Sequence, residues 1–504
     1  MVSVSMRSSF KCGLGILLGL AATFSSCSRS QSPVSQAPTS SGSSSSAGAP
    51  TALLNLAYDK PAVVGAKVHA TATGLPPGSK VDLVWGTVSG GWVIEGYYQF
   101  RGKKYSETTN SLGQFPVDSA GKLDANFTIP EDYGGVHEVT ARVDGQAVAQ
   151  NGVNVTQTFE LSPASGPVGT PVQVKVTGLG WRTMESTWVV NWDNNVLGWV
   201  SAAGTHGSAV ARFRASGPVG DHMVKLYTGW QGQSYLNYEQ SPVAELPRPH
   251  FTFKTTPGGA ARAIYAEPYQ QQAVPKTEVQ VAGAKLALTP AQGPVATRAT
   301  LRGEGFPRDA SLQLTWETFV GSRVSGNGFV PQENVIGQVK VGSDGRLESP
   351  VTIPADLGGM HSVVVKDGDK VLGRASFAIE TSIVSMTPMS GPPGTPVTIH
   401  LKGVGWTEYD NIYVATYDNA YMGYVCGFNS QGDVVINFTA AGEPGQHLID
   451  FYPGIYQGPA TEPQQLYRTP QLTYADDHPG NKIPALRFMF EVTPSGRTPA
   501  TTTD

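Results

Sequence analysis

Cysteine is scarce in this chain: Cys12, Cys27 and Cys426 are the three among 504 residues. That excludes a disulfide framework, and no close cysteine pair is present to hold a structural zinc. Charge is scarce as well. Asp, Glu, Lys and Arg make up 15% of the chain, against about a quarter in an average domain. Long surface helices carry these residues on their wet face, so a helical architecture is excluded. The 35 basic and 39 acidic residues give a formal charge of −4. No basic excess exists to hold a phosphate backbone, which excludes nucleic acid as the partner. The apolar run at 12–24 (CGLGILLGLAATF) is 13 residues, too short to span a bilayer as a helix. No G-x-S-x-G nucleophile elbow and no loop with EF-hand spacing occurs.

Turn formers and apolar residues are abundant. The chain has 59 Gly and 37 Pro, with 9 Trp, 19 Tyr and 18 Phe in a 40% apolar composition. Such a chain folds rather than staying disordered, and its punctuation favours short strands. The length suggests three or four domains.

The amino terminus reads as an address. Arg7 and Lys11 precede the apolar run, and small residues follow up to Cys27. Residues 1–26 therefore read as a secretory signal. The run Phe24-Ser25-Ser26-Cys27 resembles the bacterial lipobox, with Phe where Leu is usual. The resemblance implies that Cys27 is lipidated and begins the mature chain. An ordinary cleaved signal and an uncleaved anchor are the other readings. Residues 27–50, with ten Ser in 28–50, read as a flexible tether reaching on the order of 25 Å. With Cys12 removed and Cys27 lipidated, Cys426 has no cysteine left to pair with.

The chain repeats itself. LSPASGPVGTPVQVKVTGLGW at 161–181 matches MTPMSGPPGTPVTIHLKGVGW at 386–406, with 11 of 21 positions identical at an offset of 225. FTIPEDYGGVHEV at 127–139 matches VTIPADLGGMHSV at 351–363. FTFKTTP at 251–257 returns as FMFEVTP at 488–494 after a longer insertion. Two copies of a two-domain unit follow: domains at 51–156 and 157–258, then at 284–380 and 381–496. Residues 259–283 read as a linker, and 497–504 as a disordered tail. A repeat this long indicates independent beads rather than a solenoid. Runs such as VQVKV (172–176) and VTIHL (397–401) alternate like half-buried strands. The fold class is all-β: four tandem immunoglobulin-like β-sandwiches.

The pattern SPxSGPxGTPVxxxxxGxGW, matched at Gly166 to Trp181 and Gly391 to Trp406, resembles the opening of IPT/TIG-type immunoglobulin-like domains. The third domain has a degraded form at 289–306. The resemblance implies a fold and a role in extracellular binding or spacing, and no activity.

Chemistry-bearing residues recur between the copies. Asp193, Ser201 and His222 fall on Asp418, Cys426 and His447. Acid, nucleophile and imidazole are the ingredients of nucleophilic catalysis. The competing and better reading makes Asp193-Asn194 and Asp418-Asn419 hairpin turns. His137 and His361 follow paired glycines, either as metal ligands or as strand-start imidazoles bonded to nearby carbonyls; the second is the better account, and no metal or other cofactor is expected. Aromatics are the stronger lead: Trp199, Tyr424, Trp230 and Tyr456, beside Asp193 and Asp418, are the candidate binding residues. The expected function is a non-enzymatic, lipid-anchored envelope protein that binds an extracellular protein or glycan or acts as a spacer. A carbohydrate-binding array using loop aromatics, and a hydrolase using Ser201 or Cys426, are the alternatives.

Overall fold

The computed structural model describes residues 52–95, 99–230, 233–240, 246–270, 278–321, 329–410, 412–427, 430–455, 469–480 and 482–495. Within them the regular structure is almost entirely strand. Helix is confined to the single turn Tyr474–Asp477 and a 3-10 turn at Tyr238–Gln240. The signal, tether, Cys27 and tail lie outside the described residues.

Alternation builds the strands. In Pro171–Thr177, Val172, Val174 and Val176 are buried, while Gln173 and Lys175 face water. Eight sheets form, and they combine in pairs as four immunoglobulin-like sandwiches, each a larger sheet facing a three-stranded one. In the second sandwich the larger sheet runs Ser165–Gly166, His250–Thr255, Gly220–Trp230, Trp188–Trp192 and Asn195–Val200. Its three-stranded partner is ordered Ala209–Arg214, Pro171–Thr177, Thr158–Ser162. The fourth sandwich repeats this order with Leu486–Val492, Gly445–Gly454, Ile412–Tyr417 and Ala420–Cys426 opposite Ser382–Thr387, Pro396–Lys402 and Val434–Thr439. The duplicated two-domain unit is thus present in the fold.

The duplicated glycine motifs form the joint inside each unit. Gly134 bridges Gly180 and Gly358 bridges Gly405 as parallel pairs. A Cβ on Gly134 would sit 1.9 Å from the Gly178 carbonyl oxygen, and one on Gly358 2.0 Å from that of Gly403. Backbone meets backbone there, and no side chain fits. The tryptophan closing each Gly-x-Gly-Trp run packs across the same joint. Trp181 lies 5.7 Å from Tyr105 of the first sandwich, and Trp406 stacks at 4.1 Å on Phe319 of the third.

The expectation of independent beads is corrected. One continuous core contains Val172, Trp188 and Phe213 of the second sandwich together with Tyr452, Leu472, Tyr474 and Ala485 of the fourth. A smaller cluster joins Phe100 of the first, Val189 and Trp199 of the second and Ile455 of the fourth. Phe100 reaches there because the first sandwich carries a long hairpin, Lys80–Glu95 and Gln99–Pro116. Part of the expected linker also joins the fold. Ile264–Ala266 pairs with Leu486–Val492, and Glu278–Val279 pairs with Lys370–Glu380.

Candidate functional site

The repeated acid, hydroxyl or thiol, and imidazole do not assemble. Asp193 and Asn194 both have positive φ (47° and 67°), as do Asp418 and Asn419 (47° and 62°). Two central residues in the left-handed region make a hairpin turn that matches strand twist, which Asp and Asn tolerate best. Each aspartate then holds the neighbouring strand. Asp193 accepts from Met223 N at 2.8 Å and lies 2.5 Å from His222 Nδ1. Asp418 accepts from Leu448 N at 2.9 Å and lies 2.5 Å from His447 Nδ1. The other ring nitrogens face the carbonyls of Pro218 and Glu443, both at 2.8 Å. Ser201 follows Val200, which pairs with Trp188 at the far end of the hairpin. Cys426 pairs with Ile412, likewise far from the turn. Six or so residues of strand, about 20 Å, separate nucleophile from imidazole.

His137 and His361 are bonded to the backbone. His137 Nδ1 and Nε2 lie 2.8 and 2.7 Å from the carbonyl oxygens of Gly86 and Tyr133. His361 repeats this with Glu317 at 3.0 Å and Leu357 at 2.8 Å. Each ring stacks on a core tryptophan, Trp85 or Trp316. The indole N–H of that tryptophan donates to Asp132 or Asp356.

The aromatic candidates divide. Trp199 is 0% exposed, and its Nε1 donates to the Thr469 carbonyl at 2.9 Å. Its counterpart Tyr424 is 43% exposed, beside Tyr421 at 40% and Met422 at 41% on the edge strand Ala420–Cys426. Tyr456 and the Trp230 side chain lie outside the described residues. Cys426 is half-buried.

The densest polar chemistry lies between the units, at residues outside the sequence-based candidates. Arg214 NH2 donates to Asp450 Oδ1 at 2.5 Å and to the Phe488 carbonyl at 2.7 Å. Arg487 NH1 lies 3.1 Å from Asp450 Oδ2, and its NH2 donates to Glu267 Oε1 at 2.6 Å. Arg214, Asp450 and Arg487 are each at most 2% exposed. Two guanidiniums meet the buried Asp450 and the partly exposed Glu267, so the charges of the cluster balance. The Tyr474 hydroxyl donates to Glu267 Oε2, and Asn419 Nδ2 donates to the Arg214 carbonyl at 2.7 Å.

A second set of contacts runs along residues 469–478, within the fourth sandwich's longer insertion. Trp199 N donates to the Pro470 carbonyl at 2.7 Å, and Leu472 N to the Trp199 carbonyl at 2.8 Å. Arg212 N donates to the Leu472 carbonyl at 2.9 Å. Asp476 Oδ2 accepts from Val210 N and Arg212 NH1 at 2.8 and 3.0 Å. Asp477 accepts from Ser201 Oγ at 2.5 Å, Ala203 N at 2.9 Å and Gly204 N at 2.6 Å. Burial raises the Asp477 carboxyl above its ordinary value, with these hydrogen bonds opposing. Trp92 Nε1, from the long hairpin, donates to the Asp477 carbonyl at 2.6 Å. On the same hairpin, Lys103 donates to Ser186 Oγ at 2.6 Å. Desolvation lowers its amine to about 8, with Asp477 opposing. Ser201, a candidate nucleophile from its type and position, is here the donor that seats an aspartate.

A signal for these residues exists in the sequence. Asp450 and Arg487 interrupt apolar runs (LIDFY and LRFMF), and a charge there needs a buried partner. What the sequence does not state is which partner.

No protein-family model matches the chain, and no curated protein matches it. Among solved structures, a tetra-tandem repeat from the extending region of a large adhesion protein is 12% identical, with 81% of this chain and 96% of that one covered at a TM-score of 0.19. The Escherichia coli adhesin FdeC is 16% identical, covering 66% and 98% at 0.15. A membrane-anchored protein from Corynebacterium diphtheriae is 11% identical, covering 65% and 91% at 0.16. TM-scores this low give none of them a bearing on what the chain does.

Proposed function

We propose that the chain is a non-enzymatic envelope protein, tethered through lipid on Cys27, whose four sandwiches present a binding surface on the edge strand Ala420–Cys426. Exposed Tyr421, Met422 and Tyr424 on that one strand are the observation that carries this reading. Two tyrosines and a methionine turned partly to water offer the kind of side chain that anchors a partner. The partner is an extracellular protein or a glycan. The kinship with IPT/TIG-type domains rests on the duplicated Ser-Gly-Pro and Gly-x-Gly-Trp motifs. Separation of Ser201 from His222, and of Cys426 from His447, supports a non-enzymatic reading.

The test is a glycan-array and pull-down screen with the full chain and a Tyr421→Ala/Tyr424→Ala variant. Captured ligand that the variant loses, at an unchanged melting temperature, supports the surface. A large drop in melting temperature assigns both rings to the core instead. Cys27→Ser is expected to release the protein from membranes and remove acyl label; retention with label intact overturns the anchor.

A further inference from the structure

The second sandwich is completed by a segment that does not belong to it. Its two sheets end on one side at Asn195–Val200 and Ala209–Arg214. Residues 470–477 lie along that seam and bond to both edges, through Trp199 on one and Arg212 and Val210 on the other. Between them Leu472 and Tyr474, two residues apart, enter the core at 0% and 1% exposure. Main-chain bonds to a strand edge with alternate side chains in pockets are how a sheet accepts a peptide. Asp476 and Asp477 then accept from Val210 N, Ala203 N and Gly204 N.

The duplication provides an internal control. At Gly198 a Cβ would lie 2.4 Å from the Pro470 carbonyl oxygen, so the close approach requires glycine. Its counterpart Gly423 has no described atom within 4 Å. Among the described residues, the equivalent position of the fourth sandwich has no such neighbour.

We propose that this seam is a peptide-binding groove, occupied in cis by 470–477, which accepts an extended segment carrying two apolar side chains two residues apart and then paired carboxylates. The groove is defined by its own occupant. Its wall Asn195–Val200 adjoins the strand Ala420–Cys426, but the peptide probe reads the seam filled by 470–477 and not the tyrosines, so either proposal can fail alone.

The probe is a fluorescein-labelled synthetic peptide of residues 469–478, TPQLTYADDH. The host is the full chain with Leu472→Ser/Tyr474→Ser, which removes the two anchors but keeps the backbone. Saturable binding to this variant, with the wild type binding at least about tenfold more weakly because its groove is filled, is the expected result. A peptide with Ser in place of Leu and Tyr is expected to lose binding, and Gly198→Ala added to the host to abolish it. A folded variant that binds no peptide, or equal binding by wild type and variant, overturns the proposal. Where the double variant gives no cooperative melt, Leu472→Ala replaces it and the melting temperature is read. A rise on adding peptide, absent with the Ser-substituted peptide, supports the groove, and no rise overturns it.

Discussion

His447 and Asp418 show how a single repeated pair is used. The Asp418 carboxylate raises the imidazole above its ordinary value of 6.5, with burial opposing. A group whose pKa is higher in the fold than in the unfolded chain adds stability below the unfolded value and loses it as pH rises through the folded one. Stability of the fourth sandwich is therefore expected to decline from about pH 6.5 upward through this pair. His447→Gln should flatten that part of the pH profile in thermal melts; an unchanged slope removes the pair as its source. Asp450 acts differently, because it is wholly buried between two guanidiniums. Removing its charge leaves Arg214 and Arg487 short of a counterion. Asp450→Asn is expected to cost about 3–5 kcal/mol in chemical denaturation. A loss below 1 kcal/mol would mean that Glu267 and the backbone carbonyls suffice.

At the scale of elements, the paired glycines explain more than the strands do. The joint of each unit brings two backbones together at Gly134 and Gly180, and at Gly358 and Gly405. Gly134→Ala and Gly358→Ala must push the two backbones apart, since the clashing atoms are carbonyl oxygens rather than side-chain ends. Each is expected to destabilise its unit by roughly 1–3 kcal/mol. Limited proteolysis should reveal new cleavage near 156–180 or 380–405. Wild-type digestion patterns would show that the joint yields without cost. The longer insertion of the fourth sandwich is the other decisive element. Its described residues 469–480 hold one helical turn, Tyr474–Asp477, and supply Leu472 and Tyr474 to the neighbouring core.

Over the whole molecule, the second and fourth sandwiches share a core and a buried ion cluster, so their unfolding is expected to be coupled. Calorimetry is expected to show these two melting in one transition. Asp450→Ala combined with Leu472→Ser should split that transition in two. Separate transitions in the wild type would restore the picture of independent domains. The coupling bears on function, since flexible spacers need loose joints. Here contacts from the long hairpin, the expected linker and residues 469–478 tie the first, second and fourth sandwiches together.

The sequence by itself determined the strands, the four sandwiches, the duplication and the hairpin turns. Those depend on local rules: alternation sets which face is buried, and Asp-Asn accepts the backbone a tight turn demands. It also marked the glycines of the joints, because an offset repeat preserves them. Tertiary structure alone decided what met across those elements. Trp199 and Tyr424 hold equivalent positions, yet one is buried and the other exposed, because a segment some 270 residues away covers the first. Asp193 with His222 was brought together by strand register, whereas Ser201 was carried to the opposite end of the same hairpin. The partners of Arg214, Asp450 and Arg487 lie on separate strands, and nothing local to any of them encodes the others. Contact between distant segments depends on how whole sandwiches pack, and neither composition nor spacing carries that information.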